Sequence, residues 1–204
     1  MPVTILSDAQ IRTLLENLSL EELQGFQNEL KHALHEYSTE TQASIHQPER
    51  TSVYSNATGA TTLFMPSSSS SGNGVKVITL STADRINAVD KDDAPPIIHP
   101  TGAITLFSPL GELVGLLHAS SLTAFRTALA SLCLVGKRAK VQTLTVFGCG
   151  EQAFWHVRLA LMLRGSTIRQ VNLVNRSFSP SCSAILKRFY GVPAATKARE
   201  GWSD

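Results

Sequence analysis

Apolar residues recur at helical spacing as far as Tyr37 and at strand spacing after Arg50, and this change of period is the first division of the chain. Ser7-Asp8-Ala9-Gln10 has the form of a capping box, in which a serine hydroxyl and a side chain three residues on satisfy each other's helix-start amides. Ile11, Leu14, Leu15 and Leu18 follow at i, i+3, i+4, i+7. Ser19-Leu20-Glu21-Glu22 repeats the cap, and Leu23, Phe26, Leu30, Ala33, Leu34 and Tyr37 form a second stripe. Two amphipathic helices are therefore expected.

From Arg50 the pattern becomes short β-like runs: Thr51–Ser55, Thr61–Met65, Val75–Leu80, Ala103–Ser108 and Glu112–Leu117. Turn chemistry separates them at Asn56-Ala57-Thr58-Gly59, Asp92-Asp93-Ala94-Pro95-Pro96 and Pro109-Leu110-Gly111. One antiparallel or mixed sheet is expected, with the low-complexity stretch Ser67–Ser71 and Gly72-Asn73-Gly74 as a mobile loop. Ser120 and Ser121 introduce a helix carrying Leu122, Phe125, Leu129 and Leu132 on one face, closed by Gly136-Lys137-Arg138. The expected domain boundary lies there, between residues 1–138 and 139–204.

Beyond it the grammar is βαβ. Val141–Phe147 reads as a buried strand, Gly148-Cys149-Gly150-Glu151-Gln152-Ala153 as a tight turn, Phe154–Leu163 as a helix, Ile168–Asn175 as a strand and Ser181–Tyr190 as a further helix. The fold class is α/β: an N-terminal α+β domain followed by the first part of a Rossmann-type domain. The 64 residues from Val141 to Asp204 are too few for two βαβαβ halves, so a truncated second domain is expected.

Composition narrows the function classes. A formal charge of +2 spread over 204 residues gives no basic patch for nucleic acid. No stretch reaches the roughly 18 apolar residues of a spanning helix, because Leu113–Val135 is broken by His118, Ser120, Ser121, Thr123 and Arg126. Met1–Asp8 lacks a basic region followed by an apolar core, so a cytoplasmic protein is expected. Cys133, Cys149 and Cys182 form no C-x-x-C pair, and His32 and His35 have no third ligand nearby, so neither a disulfide framework nor a metal site is expected.

The chemistry concentrates in the G-x-G-x-x-A turn. Its first glycine makes the bend, the second lets backbone approach a pyrophosphate, and Ala153 lets helix pack on strand; the following helix offers its free amides to phosphate. A merely structural glycine turn is the other reading, and Cys149 reads as a small buried residue. The second strand ends in Asn175-Arg176-Ser177, with no acid for a ribose diol and a cation suited to a 2′-phosphate. NADP(H) is thus favoured over NAD(H), a solvated arginine being the alternative. Three further cations stand out: Arg50 before the first strand, Lys76 inside one, and Arg126 early in the boundary helix. Lys76 is either an edge residue or a site residue, and Arg126 either a surface residue or the partner of an anion.

Leu122-Thr123-Ala124-Phe125-Arg126-Thr127-Ala128-Leu129-Ala130-Ser131 followed by Gly148–Ala153 resembles the ornithine cyclodeaminase/mu-crystallin family, most of all its fungal members. The resemblance extends through Pro48-Glu49-Arg50-Thr51, Leu63-Phe64-Met65-Pro66, Val75-Lys76-Val77 and Asn175-Arg176-Ser177, nearly the whole chain. It implies a substrate and dimerisation domain joined to a Rossmann domain, and NAD(P)-dependent chemistry on small cyclic imino acids or their amino-acid precursors. It implies that Arg50, Lys76 and Arg126 face the substrate, with Lys76 and Arg126 catalytic. Arg126, Thr127, Gly148, Gly150, Glu151, Gln152, Ala153, Asn175, Arg176 and Ser177 would contact the cofactor.

Two departures accompany the resemblance. A threonine often found after the Lys76 strand falls on Ala103, so that contact is lost or moved to Thr101 or Thr105. No residue matches the family's catalytic aspartate. A non-catalytic truncated homologue, or a mu-crystallin-like NADP(H)-binding protein, is therefore the alternative to an enzyme. A homodimer through the first sheet is expected, because its edges and apolar face have little else to cover them.

Overall fold

A computed structural model of the chain describes residues 2–39, 45–81 and 99–203. The turn expected at Asp92–Pro96 lies outside the described residues. By compactness the chain forms two units, Met1–Glu16 with Ala33–Leu122, and Asn17–His32 with Thr123–Asp204. Sequence grammar put the boundary after residue 138, where a glycine ends a helix. Compactness divides the chain within that helix instead, where the Ser120 hydroxyl donates to the Pro100 carbonyl and the Ser121 amide to Asp8.

The first unit holds a six-stranded sheet of order β1-β6-β5-β4-β3-β2, formed by β1 (Thr4–Leu6), β2 (Thr51–Tyr54), β3 (Thr61–Ser69), β4 (Gly72–Ser81), β5 (His99–Phe107) and β6 (Leu113–His118). β1 runs parallel to β6 and every other pairing is antiparallel, so the expected mixed sheet is present. β1 was not expected, because three residues are too few to show a period.

The serine-rich stretch is not a loop. β3 continues through Ser69 and β4 starts at Gly72, the pairing running to Ser69↔Gly72. Only Gly72 fits this end of the hairpin: its φ is +143°, and a Cβ there would meet the Phe107 carbonyl oxygen at 2.3 Å. Tertiary pairing on both flanks has overridden the weak strand preference of the serines.

Helix α1 (Asp8–Glu16) buries Ile11 and Leu15. At its start the Ser7 amide donates to the Gln10 side-chain oxygen and the Gln10 amide donates back to the Ser7 hydroxyl at 3.4 Å, as the capping box requires. Asp8 does more than begin α1. Its carboxylate accepts the Ser121 amide at 2.9 Å and the Ser121 hydroxyl at 3.1 Å, capping helix α3 (Ala119–Val135). Burial pushes the Asp8 carboxyl up, but the two Ser121 bonds, Arg12 and His118 outweigh it, and its pKa ends below the usual value.

The second unit is arranged on helix α4 (Glu151–Arg164), which buries Ala153, Phe154, Trp155, Val157, Arg158, Leu159, Ala160, Leu161 and Met162. Strands β7 (Thr143–Phe147) and β8 (Gln170–Val174) pair in parallel, as expected of βαβ units. Phe26 of helix α2 (Leu20–Ser38), Phe125, Trp155 and Phe154 meet edge to face at centroid separations of 6.0, 5.4 and 5.2 Å. The α2 stripe is less buried than its period suggested. Leu23 and Gln27 are buried, while Leu34 and Tyr37 are about half exposed. Gln27 earns its burial by donating to the Leu132 carbonyl at 3.2 Å.

Helix α5 (Pro180–Tyr190) begins close to the expected residue, and helix α6 (Ala194–Glu200) was not expected. Arg158 holds α6 in place with bonds of 2.6 and 2.8 Å to the two oxygens of Glu200, which also accepts the Trp202 indole N–H at 2.7 Å. Both ends of the ion pair are nearly sealed from water.

Two stability effects follow. Replacing Glu200 by Ala leaves the Arg158 charge buried without its partner and costs about 3–5 kcal/mol, read as a lower urea midpoint. Asp8→Ala removes the α3 cap at a cost of about 1 kcal/mol near neutral pH. Because the Asp8 pKa is lowered by folding, its contribution is complete above the unfolded value of about 3.9 and is lost as pH falls through the folded value, so parent and variant converge in acid.

Candidate functional site

The glycine turn has the expected local geometry. β7 ends at Phe147, Gly148 turns the chain with φ +94°, and Gly150 sits at the N-cap of α4 with φ −92° and ψ −173°. The Gly148 amide donates to the Val174 carbonyl at 2.8 Å, fixing the turn to the end of β8. A Cβ added at Gly148 or Gly150 would meet nothing within 4 Å, so the space beside both is free for a ligand to approach the backbone. No side chain caps α4, which leaves its first amides directed outward for an anion. These residues fit a dinucleotide pyrophosphate. Ala153 is buried, as the packing role of the motif requires.

Two expected cofactor residues have specific local duties. Glu151 accepts an Arg188 hydrogen bond at 2.7 Å, so its charge at the helix start is balanced by a guanidinium that also lies 3.3 Å above the centre of the Phe154 ring. Asn175 spends its side-chain amide on the Ser177 carbonyl at 2.8 Å and the Cys182 sulfur at 3.1 Å, and so shapes the loop after β8. Arg176 is exposed and has no ion-pair partner among the described residues. Gln152 is exposed beside Glu151.

Asn175, Ser177, Cys149 and Cys182 line one cleft of about 380 Å³. Cys149 is half-buried rather than fully buried, and its sulfur lies 3.2 Å from that of Cys182. Sequence reading missed Cys182, because 33 residues separate the pair and no local spacing announces it.

In the first unit, sheet register brings two of the expected cations into one row. Met65 pairs with Lys76 and Lys76 with Ile104; the β2–β3 register, continued one step beyond Thr51↔Phe64, sets Arg50 opposite Met65. Residues directly opposite share a face, so Arg50, Met65 and Lys76 lie on the same side of the sheet. With strands about 4.8 Å apart, the two cations start about 10 Å from each other. Arg50 lines a cleft of about 460 Å³ with Tyr37, Gln47, Pro48, Glu49 and Met65. Lys76 is half-buried in an inner strand, not at an edge.

Ala103 pairs with Val77, which places it on the opposite face from Lys76, and Thr101 and Thr105 share its side of β5. Neither threonine therefore stands on the cation face. Arg126 is the eighth residue of α3, not within a turn of its start, so the helix dipole gives no argument about it. It is exposed, without an ion-pair partner among the described residues, beside the buried Phe125. Its neighbour Thr127 donates to the Thr123 carbonyl at 2.8 Å. Among the described residues no three potential ligands cluster as a metal site, and no helix is long and apolar enough to cross a membrane.

No known family model matches the chain. Its sequence is 28% identical over 174 residues to the uncharacterized protein YGL159W of Saccharomyces cerevisiae, spanning 78% of this chain and 43% of that protein. Its structure is similar to a probable ornithine cyclodeaminase from Bordetella pertussis Tohama I, with TM-score 0.65, 19% identity, and coverage of 98% of this chain and 54% of that one. Δ1-Pyrroline-2-carboxylate reductase of Thermococcus litoralis, solved with NADH and L-proline, gives TM-score 0.65 at 20% identity over 100% of this chain and 55% of that one. An archaeal alanine dehydrogenase dimer with bound NAD gives 0.69 at 17% identity over 97% and 58%. The fold is therefore that of ornithine cyclodeaminase-like proteins and related NAD-binding dehydrogenases and reductases: a mixed-sheet α+β unit, then a Rossmann-type unit. The chain spans somewhat over half the length of these solved proteins.

The two glycines separate fold from function. Gly148→Ala forces a side chain into the left-handed region and lowers stability by about 1–2 kcal/mol in urea unfolding. Gly150→Ala has an ordinary φ and open space, so it leaves the urea midpoint in place.

Proposed function

We propose that the chain belongs to a fungal-type, NAD(P)-dependent protein of the ornithine cyclodeaminase/ketimine reductase kind, acting on a small cyclic imino acid or its amino-acid precursor. The observation that carries this reading is the strand–turn–helix of residues 143–164, with a positive-φ Gly148, an open Gly150 and an uncapped α4. The yeast likeness supports the fungal assignment, and the solved relatives support the substrate class.

A nicotinamide dinucleotide, when bound, supplies hydride chemistry. The chain's own residues do the rest. The first amides of α4 and the Gly148–Ala153 backbone hold the pyrophosphate, while Arg176 and Ser177 hold the phosphate of NADP(H) at the adenosine end. Arg50 and Lys76 clamp the substrate carboxylate from two sides, and the Lys76 ammonium donates a proton at the substrate nitrogen. Arg126, with Thr127 beside it, serves as a further cation for the cofactor phosphates.

The chain is further proposed to pair with a second copy through the sheet face opposite Lys76. Ile5, Val53, Phe64 and Leu116 lie on that face by register, with exposures of 66%, 52%, 38% and 38%.

Titration with both dinucleotides tests the cofactor: NADPH binds more tightly than NADH, and Arg176→Ala narrows the gap by about 1–3 kcal/mol, the scale of a charge-assisted hydrogen bond. Equal affinities in the parent chain end the NADP(H) assignment. L-Proline, as a carboxylate-bearing probe, binds the parent and loses affinity on Arg50→Ala or Lys76→Ala. Light scattering gives a dimer, and Val53→Asp with Leu116→Asp gives a monomer.

A further inference from the structure

Cys149 stands between the two glycines of the turn, and Cys182 stands in the first turn of α5. Their sulfurs are 3.2 Å apart and both line the 380 Å³ cleft. We infer that Cys149 and Cys182 form a dithiol–disulfide site, closed by exchange with a low-molecular-weight disulfide, and that closure shuts the cleft at the adenosine end of the dinucleotide turn. The second part rests on the dinucleotide reading above; the first part does not.

A bond between the sulfurs needs them to approach from 3.2 Å to about 2.05 Å. Open space beside the turn leaves room for that movement. Cys149 is flanked by Gly148 and Gly150, neither of which has an atom within 4 Å of the place a Cβ would occupy. Phe178, beside the cleft, is 78% exposed. The third cysteine, Cys133, is buried in α3 and its thiol donates to the Leu129 carbonyl, so it has no part in the pair.

The two thiols are unequal. Cys182 sits at a helix start with the Ser179 hydroxyl at 3.4 Å and the Asn175 amide donating at 3.1 Å. The Ser179 hydrogen bonds, then Cys149 and Asn175, bring its pKa down to about 7, against a smaller opposing effect of burial. Hydrogen bonding to Cys182 pushes the Cys149 thiol up. Cys182 is therefore the attacking group and Cys149 the resolving one.

The exchange balances in two steps. The Cys182 thiolate attacks one sulfur of the small disulfide, forming a mixed disulfide and releasing the first small thiolate. That thiolate takes the proton from Cys149, whose sulfur then attacks the Cys182 sulfur and releases the second thiolate. The second thiolate takes up the proton that Cys182 shed to solvent on ionising, so the two cysteine sulfurs give up two electrons together and the small disulfide is reduced to two thiols.

Oxidised glutathione is the probe. The parent chain loses two of its three free thiols and about 2 Da, and peptide mapping joins Cys149 to Cys182. Cys149→Ser stops at the glutathione adduct on Cys182, and in the parent the rate of the first attack rises through about pH 7. Cys182→Ser reacts at least tenfold more slowly at pH 7. In the oxidised parent NADPH affinity falls at least tenfold and returns with dithiothreitol, while Cys149→Ser,Cys182→Ser is indifferent to both reagents. Three thiols retained, or adducts without the Cys149–Cys182 link, overturn the dithiol site. A link that leaves NADPH affinity unchanged overturns the closure of the cleft. Failure of NADPH to bind the reduced chain overturns the dinucleotide reading and leaves the link standing on the mapping alone.

Discussion

The second unit depends on the burial of one helix on nearly all its sides. A helix so enclosed cannot keep an ordinary solvated arginine, and Arg158 is retained only because Glu200 meets both ends of its guanidinium. That pairing ties the last helix of the chain to the one that follows the glycine turn. The first amides of α4 can be aimed at a ligand because the aromatic residues around Trp155 leave the helix little room to tilt. A site made of backbone needs this more than one made of side chains, since it has no rotamers with which to adjust.

In the first unit the corresponding constraint is the pleat. Alternation sends Met65 and Lys76 to one face and Phe64 and Val77 to the other, and the register across β2, β3 and β4 turns three distant stretches of sequence into one row. The same alternation leaves an apolar face behind it. The cation row on one side and the exposed apolar residues on the other are thus two results of a single period, and a one-residue slip in any strand would exchange them.

Much of this was legible in the sequence, for identifiable reasons. Local signals held: the capping boxes at Ser7 and Ser19, the closing glycine at Gly136, and the strand–glycine–helix order around Gly148 each involve residues a few positions apart. Failures occurred where distant groups decide the outcome. The serine-rich stretch reads as a loop until two neighbouring strands pair with it. Glu151 meets Arg188, and Cys149 meets Cys182, across more than thirty intervening residues that no local period encodes. Lys76 is the intermediate case: its oddity within an apolar run was visible, and its companionship with Arg50 required the register.

The cap on α3 also bears on the order in which the chain is made. Ser121, the partner of Asp8, leaves the ribosome 113 residues after it. β1 waits equally long for β6, its parallel neighbour. β1 and α1 therefore wait for the intervening sheet before they gain these contacts, and the first unit closes on itself only when the α3 start appears. Such long sequence separation slows folding and prolongs exposure of Ile11 and Leu15.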